Sequence, residues 1–187
     1  MNNTDFKIKL LKKTPFGPVA IIWTYCNDMP IIYQIFISNP ENSAIVEVER
    51  IYPDSSYSTC PEINNMATNI EKFLAGENIC FSLDDIALYR CSKFQEAVLK
   101  AEYQIPRGRV SIYQDIARRI GNDKAARAVG NALARNPFPL IIPCHRAIRS
   151  DGSLGGFQGG EDMKRALLEN EGIRFKGGRI INRKFYF

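Results

Sequence analysis

The spacing of apolar residues changes near the middle of this 187-residue chain, and that change limits the folds it can adopt. In the first half, three runs at 6–10, 19–23 and 31–37 are rich in β-branched and aromatic residues, and Pro, Gly and Asn separate them. Runs of this kind predict an antiparallel meander of three strands. A helix is then predicted over 61–74, because Gly76 follows as a stop signal.

The second half carries helix signals instead. Ser92 is placed to cap a first helix. Ser111 and Gln114 have the spacing of a capping box, which predicts a helix over 112–120 with Gly121 as its stop. These signals predict that the second half begins with two helices.

A further helix is predicted over 124–135, with Asn122 or Asp123 as its cap. Two short helices joined by a tight turn that contains glycine predict a helix-turn-helix. A last helix over 161–170 and a terminal strand over 179–187 complete the chain. We therefore predict an α+β protein of two domains, an N-terminal antiparallel sheet with a helix and a mostly helical C-terminal domain.

The two halves also differ in charge. Residues 1–91 hold 7 Lys and Arg against 11 Asp and Glu, a net of −4, whereas residues 92–187 hold 18 against 9, a net of +9. This basic excess makes a nucleic-acid surface at least as good an explanation as an ordinary solvated surface. We predict a supporting domain over 1–85 and a nucleic-acid-binding domain over 86–187.

One face of the helix predicted over 124–135 carries four long polar side chains. They recur every three or four residues, at Lys124, Arg127, Asn131 and Arg135. Alanines and a glycine keep this helix thin, and a thin cationic helix can lie deep against a duplex, including in its minor groove. Because helix pairs of this shape are also common in protein cores, the local charge is needed to favour DNA.

Composition excludes several other classes. Five cysteines at irregular spacings fit free thiols in a reducing compartment better than a disulfide framework or a zinc ribbon. His145 is the only histidine, so a His-rich metal site lacks ligands. No apolar run is long enough to span a membrane, and residues 1–5 have no secretory signal. We expect an intracellular protein, nucleoid-associated in the cytoplasm or nuclear, with no bound metal and no membrane partner.

The segment 136–146 brings a cysteine next to that histidine. Its prolines frame an apolar strand that ends at Cys144, and an imidazole close to a thiol favours the nucleophilic thiolate. Neighbouring side chains on a straight strand point to opposite faces, so contact between Cys144 and His145 requires a bend or a bridging water. For the dipeptide alone, a buried structural cysteine beside a hydrogen-bonded histidine is the better explanation.

Several short motifs together resemble a known family. Three segments match the O6-alkylguanine-DNA alkyltransferases: Ala126-Arg127-Ala128-Val129-Gly130, Asn136-Pro137 and Pro143-Cys144-His145-Arg146. The resemblance runs from about Phe94 to Glu171 and includes three further motifs: Ile105-Pro106-x-Gly108, Ser111-x-Tyr113-Gln114 and Gly155-Gly156-Phe157-x-Gly159-Gly160. Residues 1–85 match only in outline, as the variable N-terminal domain of that family, which resembles a ribonuclease H fold.

The resemblance implies a role for each matching residue. Cys144 would accept the alkyl group of O6-alkylguanine in double-stranded DNA, and His145 would act as its base through a water. Glu171 would hold the imidazole in the required tautomer, which gives a Cys-His-Glu relay. Asn136 would organise this network and also stop the preceding helix. Tyr113 would donate its hydroxyl to the departing purine, although a half-buried aromatic residue fits this position equally well.

The resemblance also implies how DNA is bound. Arg127 matches the arginine that fills the gap left when the damaged base rotates out of the duplex. The backbone around Cys144, Ala147 and Gln158 would line the guanine pocket, but Gln158 is larger than the small residue expected there. Lys164 matches a lysine that assists the active site, although a helix-surface lysine is as good an explanation.

The expected product is a thioether, which water does not release. The resemblance therefore implies one transfer per molecule, with no cofactor because the lesion itself is the alkyl donor, and we expect a monomer. A non-catalytic protein that binds alkylated DNA and recruits other factors is the alternative, but the cysteine at position 144 argues against it. A thiol hydrolase would leave Arg127 and the basic half unexplained.

Overall fold

The structure, a computed structural model, describes residues 5–181 and 185–187. Its helices and strands form an α+β fold, as predicted. The chain divides into two compact units. Unit 1 contains the described residues up to Ala87 together with Pro137–Pro139, and unit 2 contains Leu88–Asn136 and Leu140–Phe187. No helix in the described ranges has both the length and the apolar composition needed to cross a bilayer.

Unit 1 is built on a four-stranded sheet in the order β3-β2-β1-β4. The predicted meander is confirmed, because β1, β2 and β3 pair in antiparallel fashion, and a short β4 adds a parallel pair with β1. Asn27 and Asp28 both have positive φ, which is the geometry of a two-residue hairpin turn between β2 and β3. The strand bounds are Lys7–Leu11 for β1, Val19–Cys26 for β2, Met29–Ile37 for β3 and Ser56–Tyr57 for β4.

Two helices complete unit 1. The predicted helix over 61–74 is confirmed as α2, Pro61–Leu74, with Pro61 in its first turn, where no hydrogen bond of the helix needs its missing N–H. An unpredicted helix, α1, spans Ala44–Ile51 and is capped by the side chain of Ser43. Its sequence is rich in β-branched residues, which hides a short helical pattern of buried residues at i and i+4.

Unit 2 is mostly helical. Its helices are α3 at Lys93–Tyr103, α4 at Tyr113–Arg119, α5 at Ala126–Ala134 and α6 at Gly160–Asn170. Two short strand pairs accompany them: the parallel pair β5 with β6, at Ser111–Ile112 and Ala147–Ile148, and the antiparallel pair β7 with β8, at Phe175–Lys176 and Arg179–Ile180. The cap predicted for α3 is confirmed, because the Ser92 side chain accepts a hydrogen bond at its start. The helix predicted over 161–170 is confirmed as α6, which begins one residue earlier than predicted.

The predicted capping box at Ser111 is wrong. Ser111 lies in β5 and pairs with Ala147, so its backbone is extended and α4 begins only at Tyr113. The side chain of Gln114 donates instead to the Asp123 carbonyl at 2.5 Å. A strand pairing between segments far apart in sequence therefore overrides the local helix signal.

The helix predicted over 124–135 is shorter than expected. It begins at Ala126, and Ala125 rather than Asn122 or Asp123 precedes it as the N-cap. The Ala125 N–H donates to the Asn122 carbonyl at 3.0 Å, which closes a turn where the first helical turn was expected. Consequently Lys124 and Arg135 flank α5, and only Arg127 and Asn131 of the predicted polar face lie within it.

Two predicted strands also differ from the structure. The apolar segment before Cys144 is not a strand but a turn, because Leu140 has a φ of 76°. The terminal strand predicted over 179–187 is the two-residue β8, and residues 182–184 of that prediction lie outside the described residues. Phe185 forms an isolated bridge with Val110.

Candidate active site

The backbone bends sharply at the predicted nucleophile. Residues Cys144–Arg146 form one turn of 3-10 helix, and the Cys144 N–H donates to the Ile142 carbonyl at 2.8 Å across Pro143. The Pro143 angles, φ −79° and ψ 58°, are those of an inverse γ-turn, which the fixed φ of proline favours. Of the two alternatives that the sequence left open, a bend or a bridging water, the bend at Cys144 is present.

The Cys144 thiol is buried and held by an amide. Cys144 is 5% exposed, and Asn136 Nδ2 donates to its sulfur at 3.3 Å and to the Ile142 carbonyl at 3.2 Å. Burial raises the pKa of Cys144 to about 11, although the Asn136 hydrogen bond and the Lys164 charge act in the opposite direction. The resting thiol is thus protonated, and it needs a base before it can attack.

A buried carboxylate lies between two cationic or basic side chains. The Glu171 Oε1 atom is 2.9 Å from His145 Nε2 and accepts a hydrogen bond from Arg146 Nη2 at 2.8 Å. Arg146 Nε also donates to both carboxylate oxygens, and its Nη1 donates to the Ile105 carbonyl at 2.6 Å. Burial alone would raise the pKa of Glu171, but the hydrogen bonds and charges of His145 and Arg146 lower it to about 2.

These contacts fix the form of the histidine. Burial lowers the pKa of His145, with Glu171 acting against that shift, so we take the ring as neutral. Because an ionised carboxylate only accepts hydrogen bonds, Nε2 must carry the proton, and Nδ1 is left as the basic nitrogen. The structure brings His145 and Glu171 together, and His145 follows Cys144 in the same 3-10 turn.

Lys164 lies inside the protein and not on the surface of α6. It is fully buried, and its Nζ donates to the carbonyls of Ala147 at 2.7 Å and Gly156 at 3.2 Å. Burial lowers its pKa to about 8, while the neighbouring Cys144 and Glu102 act to raise it. The helix-surface alternative is therefore wrong.

A cavity of about 340 Å³ opens onto Cys144. Tyr113 and residues of α5, including Arg127 and Asn131, line it together with Arg149. Burial raises the pKa of Tyr113 to about 12, so its hydroxyl remains protonated. A methyl group on Gly155, which has a φ of 70°, would lie 2.5 Å from that hydroxyl, so only glycine leaves room for it.

The remaining predicted site residues are Lys124, Arg135, Gln158 and Ala147. Lys124 and Arg135 are exposed at the two ends of α5. Gln158 Nε2 donates to the carbonyls of Ala134 at 3.2 Å and Asn136 at 2.7 Å, so it braces the end of α5. Ala147 is fully buried in β6. Their proposed contacts with DNA or guanine stay predictions.

Known proteins are similar to this chain in sequence. The sequence model described as "6-O-methylguanine DNA methyltransferase, DNA binding domain" matches residues 93–173. A methylated-DNA–protein-cysteine methyltransferase of Methanothermobacter thermautotrophicus is 41% identical over 72% of this chain and 76% of its own length. The protein of the same name from Haemophilus influenzae is 34% identical over 89% of this chain and 96% of its own. The chain belongs to the methylated-DNA–protein-cysteine methyltransferase family.

Solved structures of this family have the same fold. The O6-methylguanine methyltransferase of Mycobacterium tuberculosis superimposes with a TM-score of 0.70 at 30% identity, covering 90% of this chain and 92% of its own. A second structure from that organism, a complex with DNA, gives a TM-score of 0.69 at 30% identity, with 89% of this chain and 92% of that one covered.

Sequence reasoning missed three charged residues of the site. Arg146 lies inside the family motif, but no role was assigned to it, and it forms the ion pair with Glu171. Arg149 lines the cavity, and nothing in the sequence pattern indicates that. Glu102 is fully buried on α3, where it continues the apolar face of Val98 and Leu99, so its spacing could have shown its burial.

Glu102 has an unusual environment for a carboxyl group. In the described part of the chain, neither of its oxygens accepts a hydrogen bond of good geometry, and the Ala147 N–H makes only a weak contact with the carboxyl group. Burial raises its pKa to about 8, while the charges of Lys164 and Arg146 and the Ala147 N–H act to lower it. The side chain is therefore mostly neutral at pH 7. Among the described residues, no group of three or more His, Cys, Asp and Glu side chains is placed to hold a metal ion.

Proposed function

We propose that this chain repairs double-stranded DNA by moving the alkyl group of O6-alkylguanine onto its own Cys144. The observation that carries the proposal is a buried thiol at the wall of a cavity, backed by the hydrogen-bonded pair of His145 and Glu171. Family membership supports the same chemistry, because the relatives are named methylated-DNA–protein-cysteine methyltransferases.

The thiol must first lose its proton. The basic nitrogen of His145 takes it through a bridging water, and Glu171 stabilises the imidazolium that results. Asn136 and Lys164 then favour the thiolate, since both act to lower the pKa of Cys144. The imidazolium is formed inside the protein, where Glu171 supplies the charge that solvent would otherwise supply.

Transfer then proceeds by in-line displacement. A bond forms between Cys144 Sγ and the alkyl carbon as the bond from that carbon to O6 breaks, and the electron pair of the broken bond stays with the purine. The protonated hydroxyl of Tyr113 donates a hydrogen bond to the departing purine. The thioether that remains on Cys144 has no good leaving group, so each molecule acts once and needs no cofactor.

Access to O6 requires the damaged nucleotide to leave the duplex, which costs about a few kcal/mol. Helices α4 and α5 would act as a helix-turn-helix in the minor groove, with Arg127 of α5 inserted where the base was. Lys124, Asn131 and Arg135 would contact the neighbouring backbone. The M. tuberculosis structure in complex with DNA supports a DNA-binding surface of this kind.

Three finer expectations complete the proposal. The sheet of unit 1 would be a variant of the ribonuclease H fold that supports the repair unit, and the protein would act as a monomer. Its compartment would be the one that holds DNA, a nucleus or a cytoplasm with a nucleoid.

The test is the intact mass of the protein after incubation with a duplex oligonucleotide that carries O6-methylguanine. We expect a gain of one methyl group per protein, and no gain for Cys144→Ser. Cys80→Ser is the matched control, because Cys80 is an exposed free cysteine in unit 1 and should leave the gain unchanged. Methyl transfer by Cys144→Ser would refute the proposal, and DNA binding without any mass gain would favour the non-catalytic alternative.

A further inference from the structure

Arg149 occupies a fixed place at the wall of the cavity. It follows β6 directly, and its N–H donates to the Ser153 carbonyl at 3.0 Å, which closes a turn just after the segment that carries Cys144. Arg149, Tyr113 and Cys144 line the same cavity. The backbone hydrogen bond therefore places the base of this side chain beside the reacting groups.

The guanidinium of Arg149 is available to a ligand. Its side chain is exposed, and no acceptor in residues 5–181 and 185–187 takes a hydrogen bond from it. Arg146 differs in this respect, because Glu171 and the Ile105 carbonyl occupy its donors. Asp151 is an acidic neighbour of Arg149: hydrogen bonds from Ser153 lower the pKa of the Asp151 carboxyl, and the charges of Arg179 and Arg149 add to that shift.

The charge of Arg149 affects the pKa values of two groups near Cys144, Tyr113 and Lys164. Burial sets the raised pKa of Tyr113, and Arg149 is the cation that acts in the opposite direction. Burial likewise sets the lowered pKa of Lys164, and Arg149 adds to that shift by repulsion. The guanidinium therefore lies close enough to affect charge that develops at the Tyr113 hydroxyl.

The transfer step creates such a charge. When the bond to O6 breaks, the purine keeps the electron pair and becomes an anion. A phenol with a pKa of about 12 shares its proton with that anion without giving it up easily, so much of the negative charge remains on the purine. A cation at the cavity wall favours the state in which this charge develops.

We propose that Arg149 stabilises the negative charge that develops on the purine of O6-alkylguanine as the alkyl group moves to Cys144. This inference rests on the proposed function and adds a charge-stabilising residue to it. The alternative role for Arg149 is contact with a DNA phosphate, because arginine commonly contacts phosphates when it binds DNA. The experiment must therefore distinguish these two roles.

The first experiment compares two substrates in single-turnover kinetics. Arg149→Leu is expected to slow transfer by about tenfold to a hundredfold, by a similar factor for O6-methylguanine in a duplex and for free O6-benzylguanine. Arg149→Lys should restore most of the rate, because it restores the charge. The matched control is Arg179→Leu, which removes an arginine 3.8 Å from Asp151 that does not line the cavity, and it should leave both rates unchanged.

The second experiment varies the leaving group. A series of free O6-benzylguanines with electron-withdrawing substituents at C8 makes the departing purine less basic. The loss in Arg149→Leu should shrink along this series, because a weaker base needs less stabilisation. A merely structural role would give the same loss for every member.

Two results would overturn the inference. One is a loss confined to duplex DNA, which would assign Arg149 to a phosphate, and the other is a constant loss along the leaving-group series. Failure of the proposed function itself is distinct, because the wild-type protein would then gain no mass from either substrate.

Discussion

The two units of this protein bury polar groups in different ways. In unit 1, the buried polar side chains of the described residues are Thr24 and Ser38, two neutral hydroxyls. Each donates to a backbone carbonyl, Thr24 to Asp5 at 3.1 Å and Ser38 to Pro18 at 2.6 Å. In unit 2, the buried polar side chains are Glu102, Ser111, Asn136, His145, Arg146, Lys164 and Glu171.

Five of the seven in unit 2 can carry a charge, and burial of an ion costs several kcal/mol unless it is paired. Glu171 and Arg146 offset that cost for each other, and Lys164 is bound to two carbonyls. Glu102 has no comparable partner. Both units contain a buried apolar cluster, but among the described residues only unit 2 also carries the desolvation cost of buried ionisable groups, as a chemical site requires.

The largest test of this contrast removes the central carboxylate. Glu171→Ala leaves the Arg146 guanidinium buried without its counter-ion, so we expect a loss of about 3–5 kcal/mol in the free energy of unfolding, together with loss of alkyl transfer. Ser38→Ala in unit 1 removes a neutral hydroxyl and should cost about 1–2 kcal/mol. Urea unfolding followed by circular dichroism measures both, and equal losses would contradict the contrast.

The helices and strands of both units could be predicted from the sequence more readily than the buried charged groups of unit 2. Strands β1 to β3 and helix α2 follow from the period of their apolar residues and from Pro and Gly at their ends. The start of α4 does not, because Ser111 pairs with Ala147 across a long stretch of chain. Local signals carry no information about that partner.

The same limit applies to the candidate site. The segment before His145 showed only that a thiol and an imidazole are adjacent in sequence, and the family resemblance assigned roles to Cys144, His145 and Glu171. Lys164 lies three and four residues before Leu167 and Leu168, so its spacing already places it on the buried face of α6. A lysine on such a face suggests exposure by its charge, and the carbonyls that accept its hydrogen bonds come from two other segments, so its partners follow only from the tertiary structure. Glu102 follows the same rule, because its position after Val98 and Leu99 places it on the buried face of α3.

A test of intermediate size concerns the buried ammonium. Lys164→Met removes a cation that lowers the pKa of Cys144, so that pKa should rise and transfer should slow by about tenfold for each unit. The rate of Cys144 alkylation by iodoacetamide at pH 7, where Lys164 is mostly charged, reports the thiolate fraction and is read by mass spectrometry. Lys100→Met is the control, because Lys100 is half exposed and pairs with Glu96 on α3. The idea fails if both variants react as fast as the wild type.

The smallest expected effect concerns Glu102 and appears as a dependence of stability on pH. Its pKa is raised to about 8 in the folded protein, whereas an unfolded glutamate has a pKa of about 4.3. Between these values the folded state holds one more proton than the unfolded state, so this residue's contribution to stability is complete below about pH 4 and is lost as the pH rises towards 8.

Glu102→Gln should remove this dependence. The amide does not titrate, so the melting temperature of the variant relative to the wild type should increase by several degrees between pH 5 and 7. This range lies below the lowered pKa of Lys164, about 8, so titration of that lysine contributes little. Glu96→Gln, at a half-exposed position on the same helix, is the matched control and should follow the wild type. If the difference in melting temperature between Glu102→Gln and the wild type stayed constant with pH, the carboxyl group would already be ionised inside unit 2. Its neighbours Lys164 and Arg146 would then compensate its charge as fully as Arg146 compensates that of Glu171.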